Sequence, residues 1–467
     1  GVVDVPREKL HFAFMFSAPL VIPYRDNQGN PSVKKMENIN HDRELKNIID
    51  SLHQTNKHVN FCRTSATVKN LTSLLSQNPL ALHFSGHGVK NNQENFGYAH
   101  DTSEGDFLVF EDDYGVAKLV SCKELSETLK ANQCNLEFVF VSSCHSELVG
   151  KIFLQAGAKH VICIRRDEKV LDQASLAFVY NFYHALFSGR NPVCSAFKQG
   201  KANVKVEDCP KGEENKFILH KAVEDDAGFD NYMGAQHKCR TFRLRKGSCQ
   251  DVGHNPLYSN FPAPVDNFVG RHIMMHEIIN LIYANRLVTL KGIPGIGKTS
   301  LAKAVANYLY ERQYPRDGII YISLRGHETV GSVLYYIESK VRTKGNMDST
   351  LDISRTREIN RLGLALIESK RKQASSNHKE FISDILDGIY DSLKGLQGLF
   401  IMDNAEDVIL SERDEFCDLI HRLLTNIPGL RIMMTSRCSI GSTLPDITEK
   451  IVNIPQLDPT RATLLFQ

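Results

Sequence analysis

Residues 287–302 of the chain read LVTLKGIPGIGKTSLA, and this stretch limits what the surrounding polypeptide can fold into. An apolar run through Leu287, Val288 and Leu290 gives way to Gly292. The spacing G-x-x-x-x-G-K-T then runs to Thr299, and a helical pattern follows from Ser300. Strand, glycine-rich turn and helix in that order make a loop that cradles phosphate. Gly292, Gly295 and Gly297 let backbone N–H groups curl around an anion, and the helix N-terminus adds partial positive charge. Lys298 is expected to reach the β- and γ-phosphates, with the Thr299 hydroxyl on Mg²⁺. A nucleoside triphosphate is the ligand this arrangement suits.

The chain has 467 residues, room for roughly three domains of ~150 residues each. Its 42% hydrophobic and 24% charged residues are those of an ordinary globular protein. A net charge of +2 leaves no extended footprint for nucleic acid, so no nucleic-acid partner is expected. No apolar run approaches the ~20 residues that span a bilayer, and no signal-peptide pattern opens the chain. No membrane partner is expected. The eleven cysteines lack C-x-x-C pairs and mostly sit in apolar segments. Reduced thiols and a cytoplasmic location follow as expectations.

The first two hundred residues alternate strand and helix. Apolar runs at Leu10–Ile22, Val59–Ser65, Leu80–Gly88, Leu136–Cys144 and His160–Arg165 read as strands. Helical spacing covers Asn40–His53, Val68–Ser76, Cys122–Asn132, Ser146–Ala156 and Leu171–Ser188, and Phe107–Val120 reads as a hairpin around Asp112–Gly115. The fold class expected is α/β, a mostly parallel sheet with helices on both faces.

In such sheets the working residues lie just past the carboxyl ends of the strands. His87 follows LHFSG and Cys144 follows FVFVSS. A thiol beside an imidazole is a nucleophile–base pair. Gly88 has no side chain to block a cleft, and its N–H with that of Cys144 suits an oxyanion hole. Taken alone, however, the two residues read more simply as a buried small residue and a hydrogen-bonded loop histidine.

Longer segments weigh against that simpler reading. SAPL (Ser17–Leu20), HFSGHG (His83–Gly88), VSSC (Val141–Cys144), GAKHVICI (Gly157–Ile164) and LAFVYNFYHALFSGRNPVCSAF (Leu176–Phe197) together resemble the CHAT proteases of the caspase and separase clan. The resemblance implies a caspase-like domain with His87 and Cys144 as its catalytic dyad, and it leaves His83 as a core residue or a support for His87. The polar stretch Lys90–Asp106 looks like an insertion beside the cleft, and the QACxG signature of true caspases is absent, so no aspartate specificity is implied.

Beyond residue 205 the periodicity weakens, and residues 206–262 read as a connector. Within it His237, Cys239, Cys249 and His254 lack the paired spacing of a zinc site. FVGR (Phe268–Arg271), the phosphate loop, LFIMDNAED (Leu399–Asp407), MMTSR (Met433–Arg437) and IPQLDPTRATLLF then resemble STAND NTPases of the NB-ARC and NACHT type. Four apolar residues ending in Asp403 form the Walker B pattern, placing that carboxylate on Mg²⁺ through water. The resemblance adds Ser300 to the nucleotide contacts, makes Arg271 a nucleotide-side arginine and makes Arg437 a γ-phosphate sensor. Asn404 stands where an acid is usual, which leaves Glu406, or no residue at all, to orient water and implies slow hydrolysis.

The domains expected are therefore 1–205 (caspase-like), 206–262 (connector) and 263–467 (NTPase, cut short before a C-terminal sensor region). The function this implies is a cysteine endopeptidase acting on a protein substrate. ATP or ADP with Mg²⁺ would control its assembly into a homo-oligomer on activation, and the C-terminal region would sense an upstream ligand. Such proteins serve signal transduction in programmed cell death and innate immunity. The other reading is a non-proteolytic scaffold whose nucleotide switch drives oligomerisation.

Overall fold

The computed structural model describes residues 2–4, 6, 9–26, 28–37, 39–90, 106–132, 135–207, 209–222, 239–252, 259–263, 268, 270–345, 378–441 and 446–457. It divides into two units, Gly1–Asn255 and Pro256–Gln467.

The strands of the first unit are Val2–Asp4 (β1), Phe12–Phe16 (β2), Val21–Arg25 (β3), Pro31–Lys35 (β4), Val59–Ser65 (β5), Ala81–Ser85 (β6) and Gly88–Lys90 (β7). Asp106–Glu111 (β8), Ala117–Ser121 (β9), Phe138–Ser142 (β10), His160–Ile164 (β11), Phe217–Lys221 (β12), Thr241–Arg243 (β13) and Cys249–Asp251 (β14) complete them. The helices are His41–Thr55 (α1), Val68–Ser76 (α2), Cys122–Ala131 (α3), Glu147–Gln155 (α4), Asp172–Phe187 (α5) and Val193–Val206 (α6).

A seven-stranded sheet in the order β12-β11-β10-β6-β2-β5-β14 is parallel except for the β11–β12 pair. Side-chain alternation builds a core on each face. Phe12, Phe14 and Phe16 of β2 pack with Phe138 and Phe140 and with Phe178, Phe182 and Tyr183 of α5. Ala13 and Met15 turn the other way, toward Leu71, Leu125 and Phe153 of α2, α3 and α4. Each buried Phe contributes about 1.5–3 kcal/mol relative to exposure. Helix α1 is closed by the Asn40 side chain, which accepts the Arg43 N–H, and by Asn56 in the left-handed region at φ 51°.

Three expectations change. The run Leu10–Ile22 is two strands, because the chain leaves the main sheet after β2 and β3 pairs antiparallel with β4. Pro23 is tolerated there, where its missing N–H interrupts only a two-stranded ladder. The run ending at Gly88 likewise breaks at Ser85, and β7 joins a separate sheet, β7-β8-β9. The stretch 206–262, expected as a connector, supplies both edge strands of the main sheet, β12 and β14, while β13 pairs with β1. Short edge strands carry too few alternating positions to announce themselves.

Cys194 and Cys239 form a disulfide with Cα atoms 5.9 Å apart, against the expectation of reduced thiols throughout. The Val193 N–H donates to the Arg240 carbonyl, and that backbone bond lays the two cysteines side by side. Cys239 is thereby removed from any zinc set, and His237 and His254 lie outside the described residues. So does 91–105, the core of the expected insertion.

In the second unit the strands are Leu287–Lys291 (β15), Ile319–Ser323 (β16), Gly398–Asp403 (β17), Leu430–Ser436 (β18) and Glu449–Asn453 (β19). All are parallel, in the order β16-β17-β18-β15-β19. Helices His272–Ala284 (α7) and Lys298–Glu311 (α8) flank the strand of the phosphate loop, and Val330–Gly345 (α9) packs on β16. Both units thus have the α/β architecture expected. Among the described residues no helix is long and apolar enough to cross a membrane.

Candidate functional site

β6 and β10 are neighbours in register, Ser85 opposite Ser142. Parallel neighbours lie about 4.8 Å apart, so the residues just beyond their ends share one edge of the sheet. His87 and Cys144 are those residues, both half-buried. The Gly86 N–H donates to the Ser142 carbonyl (3.1 Å) and ties the two strand ends together.

At Gly88 an added Cβ would lie 2.1 Å from the Cys144 carbonyl oxygen and 2.5 Å from Ser143 Oγ, so the backbone approach there admits only glycine. The Val109 N–H donates to the His87 carbonyl across the β7–β8 ladder. Alternation along that ladder turns the N–H of the next residue, Gly88, away from β8.

His87 Nε2 lies 2.9 Å from the Glu37 carbonyl oxygen. A carbonyl only accepts, so Nε2 is the donor, the tautomer that leaves the Nδ1 lone pair for another partner. His145 turns the chain from β10 into α4 at φ 58°, and its Nδ1–H donates to the Arg166 carbonyl (2.6 Å). Cys144 sits between the end of β10 and Ser146, the residue that precedes α4. His83, expected in the core or behind His87, is fully buried, 3.2 Å from Glu44 Oε1 and 2.8 Å from the Tyr183 hydroxyl.

In the second unit the phosphate loop connects β15 to α8. Gly295 (φ 74°) and Gly297 (φ 89°) take the left-handed backbone that lets the loop curl. Lys298 is the first residue of α8 and folds inward, donating to the carbonyls of Gly292 (2.8 Å) and Ile293 (3.2 Å). Thr299 and Ser300 follow in the first turn of α8.

Asp403 ends β17 and is buried. Its Oδ1 accepts from Thr299 Oγ1 (2.8 Å) and Thr435 Oγ1 (2.6 Å), and its Oδ2 accepts from the Tyr321 hydroxyl (2.6 Å). Burial first, then the hydrogen bond to Asp403 and that carboxylate's charge, push the Tyr321 phenol well above its ordinary pKa, so it stays a donor. Thr435 and Tyr321 were not anticipated. The one signal for them is a polar side chain inside an apolar strand run.

Asn404 takes φ 62°, a left-handed conformation that Asn and Asp tolerate better than most side chains, and its N–H donates to Thr435 Oγ1 (3.0 Å). Glu406 is buried; Arg437 Nε donates to its Oε1 (3.1 Å), and its Oε2 is without a partner among the described residues. Arg271, at φ 59°, donates through Nη2 to the carbonyls of Ile296 (2.8 Å) and Pro455 (3.1 Å). Its Nη1 is buried and unpartnered among the described residues, 3.8 Å from where a Cβ on Gly297 would stand. A cavity of about 430 Å³ opens beside the loop, lined by Gly292, Pro294, Ile296, Arg437, Asn453 and Ile454.

These residues fit a nucleotide with Mg²⁺. Two hard oxygen donors, Thr299 and Asp403, already meet, and an orphaned guanidinium N–H and the Lys298 ammonium both lie against the glycine cradle. Thr299 and Asp403 would hold the cation, and the loop glycines with Lys298 would hold the phosphates.

Among protein families, the CHAT domain matches residues 28–210, and the family described as nephrocystin 3, N-terminal, matches residues 272–437. No curated protein matches the chain. Similar solved structures include a Signal Transduction ATPase with Numerous Domains (STAND) protein with a tetratricopeptide repeat sensor from Pyrococcus horikoshii. It is 21% identical over 43% of this chain and 25% of that one, with a TM-score of 0.26. The Walker-type ATPase of Pyrococcus abyssi is 16% identical over 45% of this chain and 61% of its own, TM-score 0.28. The ORC1 protein of Aeropyrum pernix, solved in complex with DNA, is 16% identical over 42% of this chain and 48% of its own, TM-score 0.28. In each case the chain covers less than two thirds of the solved protein. What the two family matches and the phosphate-loop geometry define is a CHAT domain followed by a P-loop NTPase domain.

Proposed function

We propose that the chain is a cysteine endopeptidase whose activity is governed by a nucleotide-binding domain in the same polypeptide. The observation that carries this reading is the juxtaposition at the ends of β6 and β10, where Gly88 meets the Cys144 carbonyl and the Glu37 carbonyl fixes the His87 tautomer. In the reaction, His87 Nδ1 takes the thiol proton and the Cys144 sulfur attacks a peptide carbonyl carbon. The oxyanion so formed is met by the N–H groups of Gly88 and Cys144. Collapse breaks the C–N bond, and the proton held on His87 leaves with the amine. Water, giving its proton to His87, then attacks the thioester and releases the carboxylate product with the Cys144 thiol.

In the second domain, Gly292, Gly295, Gly297, Lys298 and Ser300 bind the phosphates, with Arg271 behind the loop. Bound Mg²⁺ would supply charge neutralisation of the phosphates at Thr299 and Asp403. Glu406, with one carboxylate oxygen unused, suits orienting a water, and Arg437 must leave Glu406 to reach a γ-phosphate. ADP is thereby the ligand of the resting state, and ATP promotes assembly.

The test uses the whole chain and a thiol-reactive peptide probe. Covalent labelling at Cys144, lost in Cys144→Ala and in His87→Ala with nucleotide binding intact, is the expected result. Labelling in His87→Ala at the parent rate overturns the dyad and leaves the scaffold reading in its place.

A further inference from the structure

A carboxylate lies beneath the two strand ends that carry His87 and Cys144. Glu44, in the first turn of α1, is 5% exposed. Its Oε2 accepts Ser85 Oγ (2.5 Å), at the last position of β6, and its Oε1 accepts Ser142 Oγ (2.7 Å), at the last position of β10. Ser142 has spent its only proton on Glu44, so the 3.3 Å contact with Ser175 Oγ makes Ser175 of α5 the donor there.

On its other side the carboxylate faces His83. Its ring is fully buried, stacked on Phe14 (5.1 Å between centroids) and edge-on to Phe140 (4.8 Å). Nε2 faces Glu44 Oε1 at 3.2 Å, and Nδ1 meets the Tyr183 hydroxyl at 2.8 Å.

A carboxylate held inside a core contributes little net stability, since desolvation offsets what its partners return. What it supplies is direction: hydrogen bonds to a carboxylate are short and aligned. Here one carboxylate reaches the residues two positions before each member of the proposed dyad. The same stretch of chain provides the Glu37 carbonyl that orients His87.

We propose that Glu44 is a positioning residue for the Cys144–His87 pair, its carboxylate binding the ends of β6 and β10 and so setting the separation of the two reactive side chains. This rests on the proteolytic reading above. A thiol–imidazole pair reacts efficiently only within a few tenths of an ångström of its working geometry, and a shift of about 1 Å costs about 10²-fold in rate.

The experiment measures alkylation of Cys144 by iodoacetamide, located by peptide mapping, in the whole chain. Parent, His87→Ala, Glu44→Gln, Ser142→Ala and Ser142→Thr are compared, with kcat and KM for a cleaved peptide alongside. In the parent, Cys144 reacts faster than in His87→Ala. Glu44→Gln and Ser142→Ala should each remove most of that His87-dependent acceleration, lower kcat at least tenfold and leave KM within about twofold. Ser142→Thr, which keeps the hydroxyl, should restore it. Glu44→Gln risks misfolding, and Ser142→Ala is the milder probe of the same bond. Full His87-dependent reactivity in a folded Ser142→Ala or Glu44→Gln overturns the positioning role. An absence of His87-dependent reactivity in the parent is a different result: it overturns the proteolytic reading, and the positioning role with it.

Discussion

A methyl group at Gly88 would overlap the Cys144 carbonyl oxygen, 2.1 Å away, and the carbonyl belongs to backbone that cannot swing aside. Gly88→Ala must therefore push the ends of β6 and β10 apart. The expected outcome is a fall in peptide cleavage of about 10²-fold, from a displacement of order 1 Å. The unfolding midpoint, measured alongside, distinguishes displacement from collapse, and unchanged cleavage would show that the two strand ends do not form the site. His11 makes a second residue-scale case. Its Nδ1 accepts the Asn60 N–H (2.8 Å) while Nε2 donates to the Pro6 carbonyl (3.0 Å), an arrangement open only to the neutral ring. Burial first, with the charges of His58 and Lys9 adding and the Pro6 bond opposing, lowers its pKa to about 4. The unfolded chain therefore binds this proton more readily, with an ordinary pKa of about 6.5. The stability that His11 contributes is complete above about pH 6.5 and is lost as pH falls toward about 4. His11→Asn should flatten the acid side of the unfolding midpoint against pH. An unchanged slope would assign the acid sensitivity elsewhere, for example to His160, likewise lowered to about 4 by burial.

Between β15 and β17, the strand β18 is inserted, and this element decides what Asp403 can do. Thr435, carried on β18, donates to Asp403 Oδ1 while accepting the Asn404 N–H, so the intervening strand aims the carboxylate at Thr299. Thr435→Val removes a hydrogen bond to a charged group, a loss of roughly 1.5–3 kcal/mol. Part of that should appear as weaker Mg²⁺ dependence of nucleotide binding, read by titration of a fluorescent nucleotide. The loop itself predicts a larger effect. Lys298→Ala removes the ammonium from the glycine cradle, and nucleotide affinity should drop at least about tenfold. Asp403→Ala should abolish the Mg²⁺ dependence. Parent-like affinity in Lys298→Ala would mean that the cradle does not bind phosphate. Asn404 sits at φ 62°, a left-handed conformation open to Asn and Asp alike. With Glu406 the remaining acid beside Asp403, turnover should be slow, and many turnovers per second would contradict this.

Across the whole molecule, the two domains share a chain, and a nucleotide can shift the proposed peptidase only by binding one of its states better than another. In the proposed switch the γ-phosphate is the discriminating group: Lys298 and the Thr299–Asp403 pair lie at the phosphate loop, and Arg437 would have to leave Glu406 to reach it. Sedimentation and cleavage in the whole chain should differ between ADP and a non-hydrolysable ATP analogue, with larger species and faster cleavage in the latter. If neither changes, and Lys298→Ala leaves cleavage untouched, the domains are merely tethered.

Much of this was legible in residue order because local rules act over short distances. Glycine at 295 and 297, the lysine and threonine after it and the apolar strand before it are one continuous stretch, so the phosphate loop could be read directly. The strand-helix alternation was equally plain where runs were long, as at Val59–Ser65 and Val68–Ser76, whose bounds the structure repeats. The edge strands Phe217–Lys221 and Cys249–Asp251 were not legible, since a short, half-exposed strand has no periodicity apart from the sheet it joins. Glu44 stood on the apolar face of its helix beside Leu45 and Ile48, a polar residue in the wrong place and the one local hint of its role. Its partners Ser85, Ser142 and His83 are remote along the chain, and only the parallel register of β6 with β10 brings them under one carboxylate. Thr299, Asp403, Thr435 and Tyr321 come together in the same way. Contacts between neighbours in sequence follow from backbone and side-chain preferences, whereas a site assembled from the ends of separate strands exists only once the sheet has set their order.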